Sequence, residues 1–582
     1  MERRVLLAIF LAFLVLYVWQ TVFVKPVPKP ADGPVAAGSA IVTPAQTAVA
    51  PRAPAAAPET VPAKPAAPTA TALVTAASER DVRVETRDVI AVFTNRGARV
   101  KSWRLKHYLD PQRQPQELVE QAGNQSLPFG LQTTDDNVTS TINTALYDVT
   151  GAPASPDAIS SPVDLRFEYR DSSGLQVLKE IHLEPSSYQV VLRATVRNGD
   201  RAIAAAISWG PALGDMGEVS RYVTKAEGLL FQNDKVQRLA PKDLAKQSVY
   251  DGEFGYAGVD DNYFMTAALA PGPAKVSYQA VSIPPPGDSK DPPRELVAYS
   301  IEPRVSGTAI KFFAGPKDFD VLSGIDRNVP KAINFGMFEI IVVPLLRSLK
   351  WVNGFVGNYG WSIIILTIII NGIMFPLRHK SVVSMRKMQE IQPEVKAIQD
   401  RYSKLKATDP AKQKMNQEMM ALYKEKGVNP ASGCVPMLLT MPFIFAFYAL
   451  LSTAIELRGA PFFGWIHDLS SHDPYFVTPI LMGISQIWQQ RLAPATGMDP
   501  AQQKMMMVMP VFFTFLFLWY PAGVALYWLV NNLWAIGQQY ATNYLIGPPS
   551  IRTIRPAAER RMKRAGGGKT DAAARESQKE AL

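Results

Sequence analysis

Long runs of uncharged apolar residues are the feature that most restricts how this chain can fold. Residues 5–24 are uncharged and almost wholly apolar. About 20 such residues form a helix long enough to cross the roughly 30 Å hydrocarbon core of a bilayer. Further runs occur only in the C-terminal part, at about 355–377, 434–455, 475–490, 505–520 and 522–545. The pattern predicts a polytopic α-helical membrane protein with six transmembrane helices.

Two of these runs have alternative interpretations. The first is preceded by Arg3 and Arg4 and followed by Lys25 and Pro26 rather than by a small-residue cleavage site. This favours an uncleaved transmembrane anchor, residues 1–24, over a signal peptide that is removed. The run at 475–490 contains several glutamines, so on its own it could also be a buried helix of a soluble domain.

The distribution of charge predicts the topology. A net charge of +10 would first suggest a nucleic-acid or anionic-lipid partner. However, twelve basic and six acidic residues lie between Arg378 and Ser432, and nine basic and four acidic residues follow residue 546. Loop 453–474 holds one basic and three acidic residues. Because basic loops remain in the cytoplasm, we expect both termini inside, and we expect no DNA partner.

The part between the first and second apolar runs has two compositions. Residues 25–78 are rich in Ala, Pro and Thr, which is typical of a disordered or polyproline-like linker. From 79 to 333, short runs alternate between apolar and polar residues, with a turn expected at 171–174. This pattern predicts a large exported antiparallel β-sandwich domain. Residues 335–353 then predict an amphipathic helix at the outer membrane interface.

The residues needed for common enzyme chemistry are not grouped in this sequence. None of the five His and no Asp or Glu falls in a predicted span, so neither an intramembrane protease nor a proton-coupled transporter is favoured. The single cysteine, Cys434, cannot form an intrachain disulfide. Asp260 and Asp261 are adjacent and more typical of a turn than of a metal site. We therefore expect no catalytic residues, metal or cofactor.

Neutral polar residues recur instead within the predicted spans. Thr367 and Asn371 are one helical turn apart and share a face, with Arg378 two turns further on. Each polar residue alone could simply form hydrogen bonds between helices. Together they favour a hydrophilic groove with Arg378 at its mouth, and the predicted groove residues are Thr367, Asn371, Thr440, Ser485, Gln486, Tyr527, Asn531 and Asn532.

Residues 378–428 carry apolar side chains at steps of three and four, which predicts a basic helical hairpin, kinked at Pro393. It is either a solvated coiled coil or a docking surface. The tail, residues 547–582, is also basic, and charge alone suits RNA and anionic lipid equally. The candidate docking residues are Arg386, Lys387, Arg401, Arg560, Arg561, Lys563 and Arg564.

Several long motifs resemble one family. They are NPASGCVPMLLTMPFIFAFY (429–448), GIMFPL (372–377), QEMMALYKEKGVNP (417–430), WIHDLSSHDPY (465–475) and DPAQQKMM (499–506). In order and spacing, these segments resemble the YidC family of bacterial membrane protein insertases. The anchor, linker and β domain are similar to the Gram-negative form of this family, in which that domain is periplasmic.

The resemblance implies an insertase core, residues 334–546, whose five helices enclose a groove open to cytoplasm and lipid. It implies that the apolar part of a substrate slides along an apolar face, for which Met437, Phe443, Met505, Met509 and Phe512 are candidates. The expected role is an inner-membrane insertase and chaperone that is not an enzyme. Expected partners are nascent inner-membrane proteins, the Sec translocon, the ribosome and membrane lipids.

Two positions depart from the family pattern. An Arg is usual where this chain has Asn371, and a Gln is common where it has Thr440. Our hypothesis is that hydration of the groove matters more than a fixed charge, with Arg378 attracting acidic segments at the mouth. The alternatives to an insertase are a transporter or channel, and a periplasmic sensor or scaffold.

Overall fold

The computed structural model describes residues 71–110, 112–119, 126–153, 157–211, 226–283, 293–402, 411–428, 435–492 and 500–546. The predicted anchor, nearly all of the linker and the basic tail lie outside these ranges. The chain divides into two compact units, and each is treated separately below. One unit contains residues 70–390 and 430–551, and the other includes residues 391–429.

Within the described ranges, eighteen strands form two antiparallel sheets. The strands are β1 Ala72–Val74, β2 Asp81–Glu85, β3 Val89–Thr94, β4 Arg99–Leu109, β5 Pro115–Glu117, β6 Gly130–Gln132, β7 Asp148–Thr150, β8 Val163–Asp171, β9 Leu175–Leu183, β10 Gln189–Asn198, β11 Arg201–Ile203, β12 Ala206–Trp209, β13 Glu227–Gln232, β14 Lys235–Leu239, β15 Val249–Asp260, β16 Phe264–Ile283, β17 Arg294–Pro303 and β18 Ile310–Pro316. This β-rich domain confirms the coarse prediction for the exported part.

The larger sheet has fourteen strands, and its main path runs β1-β8-β9-β10-β18-β16-β15-β13-β14. The smaller sheet runs β2-β3-β4-β5. Trp103 of β4 is fully buried and donates its indole N–H to the carbonyl of Ala314 in β18 at 2.9 Å, which joins the two sheets. Strand β1 pairs with β8, so the described end of the segment predicted as a linker contains a strand of the larger sheet.

The β8–β9 hairpin shows how the sequence produces this sheet. In β8, Leu165, Phe167 and Tyr169 are buried, while the residues that alternate with them are exposed or half-buried. The turn falls at 171–174, as predicted: Asp171 Oδ1 accepts from the Ser173 and Leu175 N–H groups, at 2.9 and 3.2 Å. Gly174 has φ +90°, a conformation in which a Cβ would be strained.

The adjacent acids near the end of β15 have different roles. Asp261 accepts from the Tyr263 and Phe264 N–H groups, at 2.8 and 2.7 Å, which confirms the predicted turn. Asp260 is fully buried and lies between two cations, 2.7 Å from Arg238 and 2.8 Å from Lys317. Both aspartates therefore have structural roles: Asp260 forms buried ion pairs, and Asp261 stabilises the turn after β15.

Ten helices occur in the described ranges. They are α1 Asp136–Thr144, α2 Phe319–Ser323, α3 Glu339–Val356, α4 Tyr359–Glu390, α5 Gln392–Arg401, α6 Ala411–Glu425, α7 Val435–Thr453, α8 Val477–Leu492, α9 Pro500–Phe517 and α10 Ala522–Ile546. Among these residues, one stretch, Tyr359–His379, is long and apolar enough to cross a bilayer by length and composition. Met441–Thr453 and Met507–Phe517 are shorter apolar stretches.

Part of the larger sheet shares an apolar core with the C-terminal helices. Its buried members include Phe231 and Phe313 of the larger sheet, Ile333 of the connecting segment, Leu346 of α3 and Leu450 of α7. On its other side, α3 exposes Ile340, Trp351 and Phe355, which suits the predicted interfacial helix. Most of the β domain packs around a separate apolar core.

The hairpin of α5 and α6 belongs to the other unit. Tyr402 donates to Glu418 at 2.8 Å, and Arg401 forms an ion pair with the same carboxylate at 3.0 Å. The disruption predicted at Pro393 is present as a break between two helices rather than as a kink within one. Helix α4 ends at Glu390, and Pro393 lies in the first turn of α5, where its missing N–H costs nothing.

Candidate functional site

A ladder of polar side chains follows one face of α4. Thr367 and Asn371 are buried, with 0% and 4% of their surface exposed. Thr367 donates to the carbonyl of Ile363 at 2.6 Å, and the Asn371 amide N–H donates to the carbonyl of Thr367 at 2.8 Å. Asn371 Oδ1 remains as an acceptor on this face.

Arg378, two turns further along the same helix, donates a hydrogen bond to that acceptor. Its Nη1 donates to Asn371 Oδ1 at 2.6 Å, so the guanidinium reaches back along the helix to the level of Asn371. The residue is half-buried, and no ion pair is found for it among the described residues. The cation therefore lies close to the position where the family pattern has an arginine. The role of Arg378 at the groove mouth stays a prediction.

Helix α10 packs against α4 and contributes its own polar residues. Tyr527 is buried and stacks on Phe447 of α7, with ring centroids 4.4 Å apart. Its neighbour on the next turn, Asn531, is half-buried. The structure thus brings Tyr527, Asn371 and Arg378 onto facing sides of α4 and α10.

The other predicted polar residues on α8 and α10 behave differently. Asn532 donates to Ser485 Oγ at 3.1 Å and to the carbonyl of Met482 at 3.3 Å. This is the interhelical hydrogen bonding that the sequence allowed as the alternative for each polar residue. Gln486 Oε1 is buried without a partner in the described part of the chain. The Thr440 side chain lies outside the described residues.

Close packing holds these helices in place. A Cβ on Gly483 of α8 would collide with the Thr514 hydroxyl of α9. Glycine therefore permits the two backbones to approach, as small residues commonly do between membrane helices. The sequence analysis did not identify this contact, although glycine in the middle of an apolar helix is a recognisable signal.

Loop 454–476 connects the end of α7 with the first turns of α8 and α10. Asp473 accepts from the backbone N–H and hydroxyl of Thr478, both at 2.8 Å, and from the Trp465 indole at 2.9 Å. Burial alone would raise the pKa of Asp473, but the hydrogen bonds from Thr478 and Tyr475 lower it below its usual value. The first N–H groups of α10, those of Ala522 and Gly523, donate to backbone carbonyls of the same loop.

An ionic junction connects this loop with the β domain. Lys350 of α3 contacts Glu456 of the loop at 3.0 Å, and Asp320 and Asp318 at the end of the β domain at 2.5 and 3.5 Å. Burial would lower the pKa of Lys350, but the charge of Glu456 and the aspartates raises it. Nearby, Arg458 donates to the Leu109 carbonyl at 2.9 Å. Sequence reasoning missed this junction because its members are far apart in the chain.

The predicted sliding face is partly visible. Phe512 and Met509 of α9 are 61% and 42% exposed, and Phe443 of α7 is half-buried. These side chains can contact lipid or an apolar segment. The side chains of Met437 and Met505 lie outside the described residues.

Of the predicted docking residues, Lys387 is exposed and Arg401 pairs with Glu418, as described above. The Arg386 side chain lies outside the described residues, as do Arg560, Arg561, Lys563 and Arg564. No cluster of three or more His, Cys, Asp or Glu suited to a metal occurs within the described ranges.

A β-rich domain shares an apolar core with the C-terminal helices, one of which is long and apolar enough to cross a bilayer and carries a buried polar ladder. This combination is typical of a membrane protein with a large domain outside the bilayer. Two family models match the chain. The model described as 60Kd inner membrane protein covers residues 351–547, and the model described as YidC periplasmic domain covers residues 81–348.

Relatives match nearly the whole chain. A membrane protein insertase YidC of Pelobacter propionicus is 34% identical and aligns with 94% of this chain and 100% of its own. One from Geotalea daltonii is 34% identical, with 93% and 99% covered. A solved active YidC insertase, with its first transmembrane domain resolved, aligns with 82% of this chain and 95% of its own at 20% identity and a TM-score of 0.34. On the sequence relatives, the chain belongs to the YidC family of membrane protein insertases, and the predicted resemblance is confirmed.

Proposed function

We propose that this protein inserts nascent inner-membrane proteins into the bilayer and assists their folding, using a groove between α4, α7 and α10. In this proposal the chain crosses the inner membrane six times, with both termini in the cytoplasm and the β domain in the periplasm. The groove opens to the cytoplasm and to lipid. The hydrogen-bonded loop 454–476 closes it on the periplasmic side.

The observation that carries the proposal is the polar ladder ending in Arg378. A guanidinium held among apolar helices without a carboxylate is costly, because a charge in a low-dielectric site needs a partner. Water and the polar groups of an entering polypeptide can supply that partner. The hydrogen bond from Arg378 to Asn371 holds the cation inside the groove, where an acidic or polar segment can reach it.

The apolar part of the substrate takes a different path. An unsatisfied polar group in hydrocarbon costs several kcal/mol, so polar and apolar segments need separate surroundings during insertion. The exposed side chains of Phe512 and Met509 provide an apolar surface leading to lipid. Helix α8 has 16 residues, or roughly 24 Å, which is short for a 30 Å core and favours local thinning of the bilayer.

This mechanism involves positioning and solvation without covalent chemistry, so we propose that the protein is not an enzyme and needs no cofactor. The Sec translocon is a proposed partner on the periplasmic and membrane sides. The basic hairpin of α5 and α6 and the basic tail are proposed contacts for the ribosome. Raised salt should weaken that contact.

Insertion by the purified protein in liposomes tests the proposal. The substrate is a small single-span protein with an acidic exported tail, and protection of that tail from external protease measures insertion. Asn371→Leu removes the amide that holds Arg378 and should slow insertion about tenfold, equivalent to roughly 1.4 kcal/mol.

Gln539→Leu is the matched control, because Gln539 lies on α10 and bonds to Asn543 of the same helix at 3.3 Å. It should leave insertion unchanged. Wild-type protein that inserts nothing would contradict the insertase function, and an Asn371→Leu variant as fast as wild type would contradict the groove assignment.

A further inference from the structure

A second set of polar side chains continues the groove along α10. Tyr527, Asn531, Trp534, Gln538 and Thr542 are separated by four, three, four and four residues. At about 100° per residue these steps keep all five within a stripe about 80° wide, extending over roughly 22 Å of helix. The last three members were not identified from the sequence.

Three of these side chains present hydrogen-bonding atoms with no partner among the described residues: Trp534 Nε1, Gln538 Nε2 and Thr542 Oγ1. Gln538 and Thr542 are 7% and 0% exposed. A buried polar atom without a partner is unfavourable, because it has lost its hydrogen bonds to water and has gained none in return. Gln486 Oε1 of α8 and His379 Nδ1 of α4, on helices that flank the stripe, are open in the same way.

The three atoms on α10 differ in arrangement from the other buried polar atoms that lack a hydrogen-bond partner. In the β domain, the open polar atoms lie on β12, β15, β16 and β17. On α10, the three lie in one row, one turn apart. The amide N–H groups of Asn532, on a different face of the same helix, donate to Met482 and Ser485 of α8. Among the described residues of α10, the buried side-chain atoms without a hydrogen-bond partner therefore all lie in the stripe that continues the groove.

The spacing of the row fits a polypeptide backbone. Trp534, Gln538 and Thr542 repeat at four residues, about 6 Å along the helix axis. In an extended chain, carbonyls on one side repeat every two residues, at about 6.6–6.8 Å. Indole, amide and hydroxyl groups all donate to carbonyl oxygens. The row is about 12 Å long and uncharged, which suits a linear chain better than a single anionic lipid headgroup.

We propose that Trp534, Gln538 and Thr542 form a ladder of donors that holds the exported segment of a substrate in an extended conformation by its backbone carbonyls. This inference rests on the proposed insertase function and adds how the groove accepts segments of different sequence. Every polypeptide has the same carbonyl repeat, so the ladder selects conformation and not side chains. Arg378 then acts on acidic segments, and the ladder acts on all segments.

The test uses full-length protein in liposomes and two substrates with the same span. One has an exported tail of Gly, Ser and Asn, and the other has the same tail with Asp residues. The double variant Gln538→Met/Thr542→Val keeps side-chain size but removes two donors. We expect insertion of both substrates to slow by the same factor, about tenfold. Gln539→Leu again serves as the control and should have no effect.

The outcomes separate this inference from the proposed function. If wild type inserts both substrates and Asn371→Leu slows insertion, but the double variant does not, the ladder is wrong and the insertase function stands. Slowing of the acidic substrate alone would also overturn the ladder. The thermal unfolding midpoint of the double variant should equal or exceed that of wild type, because two open buried groups are removed. A lowered midpoint would assign them a structural role instead.

Disulfide trapping tests the extended conformation without relying on a rate. Gln538→Cys is placed in a Cys434→Ser background, and single cysteines are scanned along the exported tail of a stalled substrate. An extended chain on the ladder should give cross-linking yields that alternate with a period of two residues. A period of three to four residues, or a flat profile, would overturn the proposal.

Discussion

Buried cations in the β domain and in the groove differ in how many of their hydrogen bonds are made. In the β domain, Lys179 is fully buried and donates to the carbonyls of Gly97, Ala98 and Phe129 at 2.7, 3.1 and 2.7 Å. Its three donors and three acceptors match, although burial lowers the pKa of the amine well below its usual value. Arg378 in the groove has one amide partner and no carboxylate within the described residues.

This difference distinguishes structural polarity from functional polarity. A buried charge whose hydrogen bonds are all made fixes the fold, and its removal leaves the facing groups unsatisfied. A charge with open capacity can bind something else. Removal of the first kind should lower stability, and removal of the second should lower activity with little cost to the fold.

The largest expected effect is that of Lys179→Met. The change leaves three buried carbonyls without donors and should lower the free energy of unfolding by about 3–5 kcal/mol. Thermal unfolding of the full-length protein in detergent measures it. Lys311→Met, on the exposed side of β18, is the control and should have little effect. Equal thermal midpoints for Lys179→Met and wild type would show that Lys179 does not stabilise the fold, which would contradict the structural role given to this buried cation.

The second largest effect is expected at the ionic junction. Lys350→Met leaves Glu456, whose side chain is 6% exposed, without its cation, and should lower the free energy of unfolding by about 3 kcal/mol. Adding Glu456→Gln should recover much of the loss, since the uncompensated charge is gone. A double variant as unstable as the sum of the single variants would show that the two residues do not interact.

Arg378→Met should have an effect of the opposite kind. We expect the thermal midpoint to stay within a degree or two of wild type, because no ion pair is broken, whereas insertion of an acidic-tail substrate slows about tenfold. Arg378→Lys should recover part of the rate. A large drop in the thermal midpoint with a normal rate of insertion would contradict this prediction and show that Arg378 stabilises the fold.

The smallest effect is expected at His182 in the β domain. Hydrogen bonds from His182 to Asp164 and Glu184, at 2.7 and 3.1 Å, raise its pKa above 6.5. A raised histidine pKa stabilises the fold below pH 6.5, and this contribution disappears as the pH rises through the folded-state pKa. The side chain is 36% exposed, so screening should limit the effect to about 0.5 kcal/mol. His182→Gln should remove this loss of unfolding free energy as the pH rises above 6.5, measured as the thermal midpoint against pH.

Local patterns predicted much of this molecule. Alternation and a turn at 171–174 gave the β8–β9 hairpin, and the spacing of Thr367 and Asn371 gave the polar face of α4. Lys179 was also detectable, because it lies in phase with the inward-facing Val177 and Ile181 of β9. A lysine at an inward position of a strand indicates a buried charge that needs partners.

Contacts between distant segments could not be read in this way. Lys350 and Glu456 are 106 residues apart, and nothing near either one indicates the other. The reach of Arg378 back to Asn371 depends on side-chain rotamers, which a helical repeat does not specify. The donors on α10 were missed because Trp534 and Thr542 look like ordinary residues of an apolar helix.

The shared core has a consequence for the order of synthesis. Helix α3 buries Leu346 and Leu349 against a core that includes Leu450 and Leu451 of α7. The ribosome makes the α3 residues about 100 residues earlier, so at 5–20 residues per second the wait is roughly 5–20 s. During that interval the part of the α3 face that packs against α7 is uncovered. The insertase's own maturation therefore includes a stage at which a helper for unfinished membrane proteins would have a surface to bind.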